Sequence, residues 1–177
     1  RGQRLAIARR TAQWADAAAV AAEITAADPA RRVGIEAHAL ALANQHKLAE
    51  AAALIDTALL GAPDDHALLV VRTELAMGSG VWRDAERWMD RLTGRADVTA
   101  TDLNNVAWAR LGLNPDPTAA QALATRAEAM EHPLSPQLAN TLAAVAAEAG
   151  EPVKAWRYAE HSWDPRVDHA PHDADWY

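Results

Sequence analysis

Apolar positions along the chain recur three and four residues apart, separated by short polar or proline- and glycine-containing breaks. Trp14, Ala17, Ala18, Ala21 and Ile24 share one helical face, and Ile35, Ala39 and Leu42 make the next stripe. Beyond a break at Asn44–His46, Leu48, Ala51, Ala52, Ile55 and Leu59 form a third stripe. The same spacing continues through Leu68, Leu69, Leu75 and Ala76, and then through Trp82, Ala85, Trp88, Met89 and Leu92. Four later stripes are anchored by Leu103 and Val106, by Leu123 and Ala124, by Leu138 and Val145, and by Val153 and Trp156. An apolar phase shift at Thr11–Trp14 implies that a further helix, under way by Arg4, precedes the first full stripe. No segment alternates as a strand does. The pattern predicts an all-α chain of ten helices in five hairpins.

Start and stop signals agree with those boundaries. Asp28–Pro29 and Gly61–Ala62–Pro63 end helices, because proline cannot continue one from within and glycine suits a C-terminal cap. Gly78–Ser79–Gly80, Gly94, Gly112–Asp116 and Gly150 mark further breaks. Asp64 or Asp65, and Thr99 or Thr101 with Asp102 in the first turn, are candidate N-caps. Asp116–Pro117 and Ser135–Pro136 read as cap followed by proline at the first helical position, and Glu151–Pro152 restarts the last helix.

The stripes also repeat. Ala17, Ala51, Ala85, Ala120 and Ala155 follow one another at steps of 34, 34, 35 and 35 residues. Four residues past each rung stand Ala21, Ile55, Met89, Ala124 and Ala159, and three before each stand Trp14, Leu48, Trp82, Pro117 and Pro152. A fixed period of this length is the signature of a helical solenoid, in which stacked hairpins bury a seam that one hairpin cannot bury alone. Any bend or change of curvature in the array is expected between Leu92 and Thr101, where the ladder changes step.

These residues resemble the tetratricopeptide repeat family, with its helix–turn–helix of about 34 residues, small residues at fixed places and a terminal proline. The second-helix signature is met at all five alanine rungs; the proline is in register at Pro29 and Pro63, one residue late at Pro133 and two early at Pro165. Asp97 stands at that place in the third unit, and the run Leu103–Trp108 is similar to the first helix of bacterial members. His38 and Arg72 depart from the pattern, standing where the family has a large apolar residue. The resemblance implies a right-handed superhelical solenoid with units at 1–29, 30–63, 64–97, 98–133 and 134–165, and residues 166–177 starting a further helix. We expect one continuous array, a piece of a longer protein because Arg1 already lies close to helix-like sequence.

Composition narrows the chemistry. Half the residues are apolar and alanine leads them, with seven Trp, two Tyr and no Phe, so closely approaching helices with a few large wedges are expected. Trp14, Trp82, Trp88, Trp156 and Trp163 read as structural wedges, and Trp108 as either core or groove. A net charge of −7 with dispersed arginines disfavours nucleic acid, and the absence of a basic amphipathic stretch disfavours an anionic membrane. Without cysteine there is no disulfide, thiolate metal site or cysteine nucleophile. No apolar run approaches a membrane span or a signal-peptide core, so a cytoplasmic location is expected, or a periplasmic one if a signal segment is missing from this chain. Fifteen Arg against two Lys, with so much alanine, suggests a GC-rich bacterial genome.

No catalytic site, cofactor or metal is expected. His169 and His172 with flanking aspartates are the one concentration of potential metal ligands, and they read as a proline-broken loop. Gly78–Ser79–Gly80 lacks the spacing of a phosphate loop. First helices line the concave surface in the resembled family, which implies partner-binding positions at Glu36, Leu40 and Asn44, then Val70, Glu74 and Met77. The set continues through Asn104 or Asn105 and Trp108 to Asn140, Ala144 and Glu148. Asparagine can hold a peptide backbone without reading its side chains. The Lys and Arg pairs that clamp a C-terminal carboxylate in some members are absent, so a neutral or basic peptide fits better. The expected function is a non-catalytic protein–protein interaction scaffold; the alternative is a helical sensor or regulatory segment controlling an enzyme or transcription factor in a larger protein.

Overall fold

A computed structural model describes residues 13–27, 32–112 and 115–162, and in it the stripes become α-helices. The described helices are α1 (Trp14–Ala27), α2 (Arg32–Ala43), α3 (Leu48–Gly61), α4 (His66–Gly78), α5 (Trp82–Thr93), α6 (Ala100–Gly112), α7 (Pro117–Met130), α8 (Pro136–Glu148) and α9 (Pro152–Ser162). Among the described residues there is no strand. The expected helix before Trp14, the Asp28–Pro29 break, Trp163 and the His169–His172 stretch lie outside the described residues.

The helices start where polar side chains satisfy first-turn N–H groups. Asp65 Oδ1 accepts the Leu68 N–H at 3.2 Å, Asp116 Oδ1 that of Ala119 at 3.0 Å and Ser135 Oγ that of Leu138 at 3.3 Å. At α6 the cap is reciprocal: Thr99 Oγ1 accepts the Asp102 N–H at 3.2 Å, and Asp102 Oδ2 accepts the Thr99 N–H at 2.8 Å. Two residues before a second helix, the turn residue is left-handed in three places, at His46 (φ 61), Gly80 (φ 72) and Gly150 (φ 72). Glycine takes this conformation without steric cost, whereas His46 holds it at a cost of about 1–2 kcal/mol. The turn around His46 is anchored by Gln45, whose side-chain amide donates to Ala41 O at 3.0 Å and to Trp14 O at 3.1 Å.

The chain divides into two compact units, one ending at Val98 and the other beginning at Thr99. The division falls where the alanine ladder changes step. In the first unit each helix from α1 to α5 packs on the next, and α2 also packs on α4. In the second, α6 to α9 pack in sequence and α6 also packs on α8. First helices therefore neighbour first helices within each unit, as a helical repeat array requires.

The ladder is the core. Ala17, Ala51 and Ala120 are 0% exposed and Ala85 1%, while Ala21, Ile55, Met89 and Ala124 behind them are all at 0%. The fifth rung differs: Ala155 is half-buried, Ala159 is exposed and α9 has no buried residue. Trp156, expected to be a structural wedge, is 62% exposed, because no described helix follows α9 to cover that face. Trp14 does pack, half-buried, against the cluster around Val20, Ala21 and Ile24. At Gly34 an added Cβ would stand 2.9 Å from Ile24 Cγ2 and 3.1 Å from Thr25 Oγ1, so α1 and α2 approach too closely for any side chain there.

Arg72, which breaks the expected apolar pattern, is a buried tie between three helices. Its Nε lies 2.7 Å from Asp56 Oδ1 on α3 and its Nη2 3.1 Å from Asp84 Oδ2 on α5. The guanidinium also sits 4.7 Å from the centroid of the Trp88 ring, with Arg87 and Arg91 at 5.3 and 5.2 Å. The planar cation thus fills an apolar position by stacking while both its charge-bearing edges are paired. In the second unit the Tyr158 hydroxyl of α9 donates to Glu128 of α7 at 2.6 Å. Burial and the adjacent carboxylate raise the tyrosine pKa to about 12.

Replacing a rung with a large side chain tests the register. Ala85→Leu and Ala120→Leu should each destabilise the fold by about 1–3 kcal/mol through overpacking. Denaturant titration reads this directly, and unchanged midpoints would show that these alanines are not tight contacts.

Candidate interaction surfaces

Because α2 packs directly on α4, side chains one turn apart on each helix face one another across a shallow cleft. The cleft has a volume of about 330 Å³ and is lined by Val33, Glu36, Ala37, Leu40 and Ala43 of α2, by Val71, Glu74 and Leu75 of α4, and by Leu48 at the start of α3. Ala37 and Leu75 are buried beneath it, whereas Val33 and Leu40 stand 63% and 37% exposed. Large apolar side chains are thus held at a surface that no other described element covers.

Glu36 is the polar group set most deeply in this cleft. Its Oε1 is shielded from solvent and without a hydrogen-bond donor, and the Arg32 Nε lies 3.3 Å away as an ion pair. Arg32 is shared, since its Nη1 donates to Asp65 Oδ2 at 2.9 Å. Desolvation raises the Glu36 pKa and outweighs the opposing pull of Arg32. Asp65 shows the reverse balance: desolvation would raise it, but the Leu68 N–H and Arg32 together bring its pKa below the usual value. His38, also on α2, has its pKa lowered by desolvation, and its Nδ1 is buried without a hydrogen-bond partner.

Of the positions expected on the first unit's binding face, Glu36, Leu40 and Glu74 line this cleft. Asn44, Val70 and Met77 are not among its lining residues; Asn44 is exposed and donates from its own side chain to Leu40 O at 2.9 Å. Val33, Ala37, Ala43, Leu48, Val71 and Leu75 complete the lining, and none of them was among the expected binding positions. Val33 carried a signal, as an apolar residue seven before Leu40 on the same face. Val71 sits one residue from the expected Val70, a register that helical periodicity leaves open in an apolar run such as Leu68–Val71.

A second cleft of about 430 Å³ in the same unit is lined by residues of α1 to α4, among them Thr25, Ile35, Leu54, Thr57 and Leu68. The sequence reading missed it entirely, because it is made by four helices meeting. Its polar groups are engaged: Thr25 and Thr57 donate to Ala21 O and Ala53 O, and Arg32 pairs with Asp65 at its rim.

In the second unit α6 and α8 carry the remaining expected positions and pack together. Trp108 is 51% exposed, so it is a surface residue rather than a core wedge. Asn105, Asn140 and Glu148 are exposed, and Ala144 is half-buried. Asn104 Nδ2 donates to Asn105 Oδ1 at 3.4 Å, and Asn104 Oδ1 is buried without a hydrogen-bond partner.

Among the described residues no group of three or more His, Cys, Asp or Glu side chains is placed to hold a metal ion, and no helix is long and apolar enough to cross a membrane. In comparisons with known proteins, no protein-family model and no curated protein matches the chain.

A carboxylate whose folded pKa is raised costs stability at neutral pH, and that cost disappears as the pH falls through the raised value to the ordinary carboxylate range. Glu36→Gln should therefore melt at a higher temperature than the parent at neutral pH. The difference should vanish in acid, where Glu36 is neutral in both the folded and the unfolded state. Paired thermal melts across that range check it.

Proposed function

We propose that this chain is a non-catalytic interaction scaffold of the tetratricopeptide-repeat type, a right-handed superhelical array holding a peptide or helix of a partner protein. The binding face is that of the first helices, α2 and α4 in one unit and α6 and α8 in the other. The observation that carries this reading is the α2–α4 cleft, where Val33 and Leu40 remain exposed on a face that a stacked array would leave open. Isolated exposed apolar residues are ordinary, but apolar walls around a concavity mark a recognition site. The exposed Trp108 on α6 supports it, as a large amphipathic ring of the kind that anchors interfaces. The five alanine rungs and the reciprocal and proline-assisted caps support the repeat assignment itself.

Peptides selected from a displayed random library on the intact chain test this function. Leu40→Asp and Trp108→Ala should each weaken the selected peptides that contact their own unit by about tenfold or more, ~1.4 kcal/mol, with the fold retained. Fluorescence anisotropy measures it. Selected peptides whose affinity survives both changes would place binding elsewhere on the molecule.

A further inference from the structure

The α2–α4 cleft also has a charge, and the charge narrows its occupant. Both ionisable side chains that line it are carboxylates, Glu36 and Glu74, set among apolar walls. The neighbouring cation, Arg32, stands outside the lining and divides its guanidinium between Glu36 and Asp65. Glu36 Oε1 is thus shielded from water and receives no hydrogen bond, and its ion-pair partner Arg32 is shared with Asp65. A partly desolvated carboxylate in this condition is stabilised by a further cation brought alongside it. An incoming anion would meet the half-buried Glu36 carboxylate between apolar walls, on a chain whose net charge is already −7.

Size adds a second restriction. At about 330 Å³ the space lies at the small end of ligand-binding pockets, which run roughly from 300 to 1,000 Å³. It admits one or two side chains and not a folded element. Val33, Leu40 and Val71 offer those side chains apolar contact.

Building on the interaction-scaffold reading, we propose that the α2–α4 cleft recognises a protein segment in which an apolar side chain is closely followed or preceded by a lysine or arginine. The apolar side chain enters between Val33, Leu40 and Val71, and the cation lies against Glu36 and Glu74. The segment's charge also speeds its approach to an acidic surface, so binding weakens as salt is added.

The test is panning of the intact chain and of its E36Q/E74Q form against the same displayed random peptides, followed by anisotropy with the enriched sequences. Parent-selected peptides should be enriched in an apolar residue beside Lys or Arg. They should lose about tenfold in affinity on E36Q/E74Q, and lose most of their salt dependence with it. Replacing the peptide's Lys or Arg by Gln should cost as much on the parent and nothing further on E36Q/E74Q. Enrichment without basic residues, or equal affinities for the two forms, overturns the proposal. If the equal-affinity peptides are still lost on Leu40→Asp or Trp108→Ala, the scaffold reading stands and only the charge assignment fails. If no peptide is enriched, or binding ignores all of these changes, both fail. Circular dichroism melts confirm that E36Q/E74Q is folded.

Discussion

Close approach between helices is the constraint on which this structure depends. Helix axes can come near only where side chains are small, and the chain puts alanine at that place in every repeat, with Ala17, Ala51, Ala85 and Ala120 sealed from solvent. Once the alanines fix the spacing, the residues one turn on (Ala21, Ile55, Met89 and Ala124) are forced into the same seam and exclude water completely. Gly34 is the extreme case, where even a methyl group would meet the neighbouring helix. On the first helices, which carry no rung, a cleft between α2 and α4 is left at the surface.

Much of this was legible because it is local. A cap needs one polar side chain and the N–H groups three residues on, so Asp116 and Ser135 could be read directly from the chain, and Asp65 and Thr99 each as one of two candidates. The alanine ladder was legible because it repeats. Arg72 was not, since a charged residue at an apolar position looks like an error until its partners are seen. Those partners, Asp56 and Asp84, come from two other helices and arrive only through tertiary packing. Trp156 misled for the opposite reason: its spacing is that of a core wedge, but burial depends on a following helix, and among the described residues none covers it. The left-handed turn at His46 was also hidden, because its neighbours in register are glycines and a histidine carries no sign of that backbone.

The candidate surface was legible to the same degree. Glu36, Leu40 and Glu74 line the α2–α4 cleft, and so does Val71 but not Val70, because one residue of rotation on α4 decides which side chain faces the cleft. A carry-over from a family pattern sets the helix and the turn of the helix. It does not set the last fraction of a turn.

Two charge systems of the first unit, one buried and one half-buried, show how differently one fold treats ionised groups. Arg72 is stacked on Trp88 and faces a carboxylate at each edge, so its burial is compensated within the chain and it serves to join α3, α4 and α5. Glu36 is shielded at Oε1, receives no hydrogen bond there and shares its counter-ion with Asp65. Desolvation consequently dominates its ionisation. A scaffold selected for stability alone would place glutamine or an apolar residue at that position, since an underpaired carboxylate raises the energy of the folded state at neutral pH. The same deficit makes the site a better acceptor of an external cation than a fully paired carboxylate would be, because Arg32 is shared with Asp65.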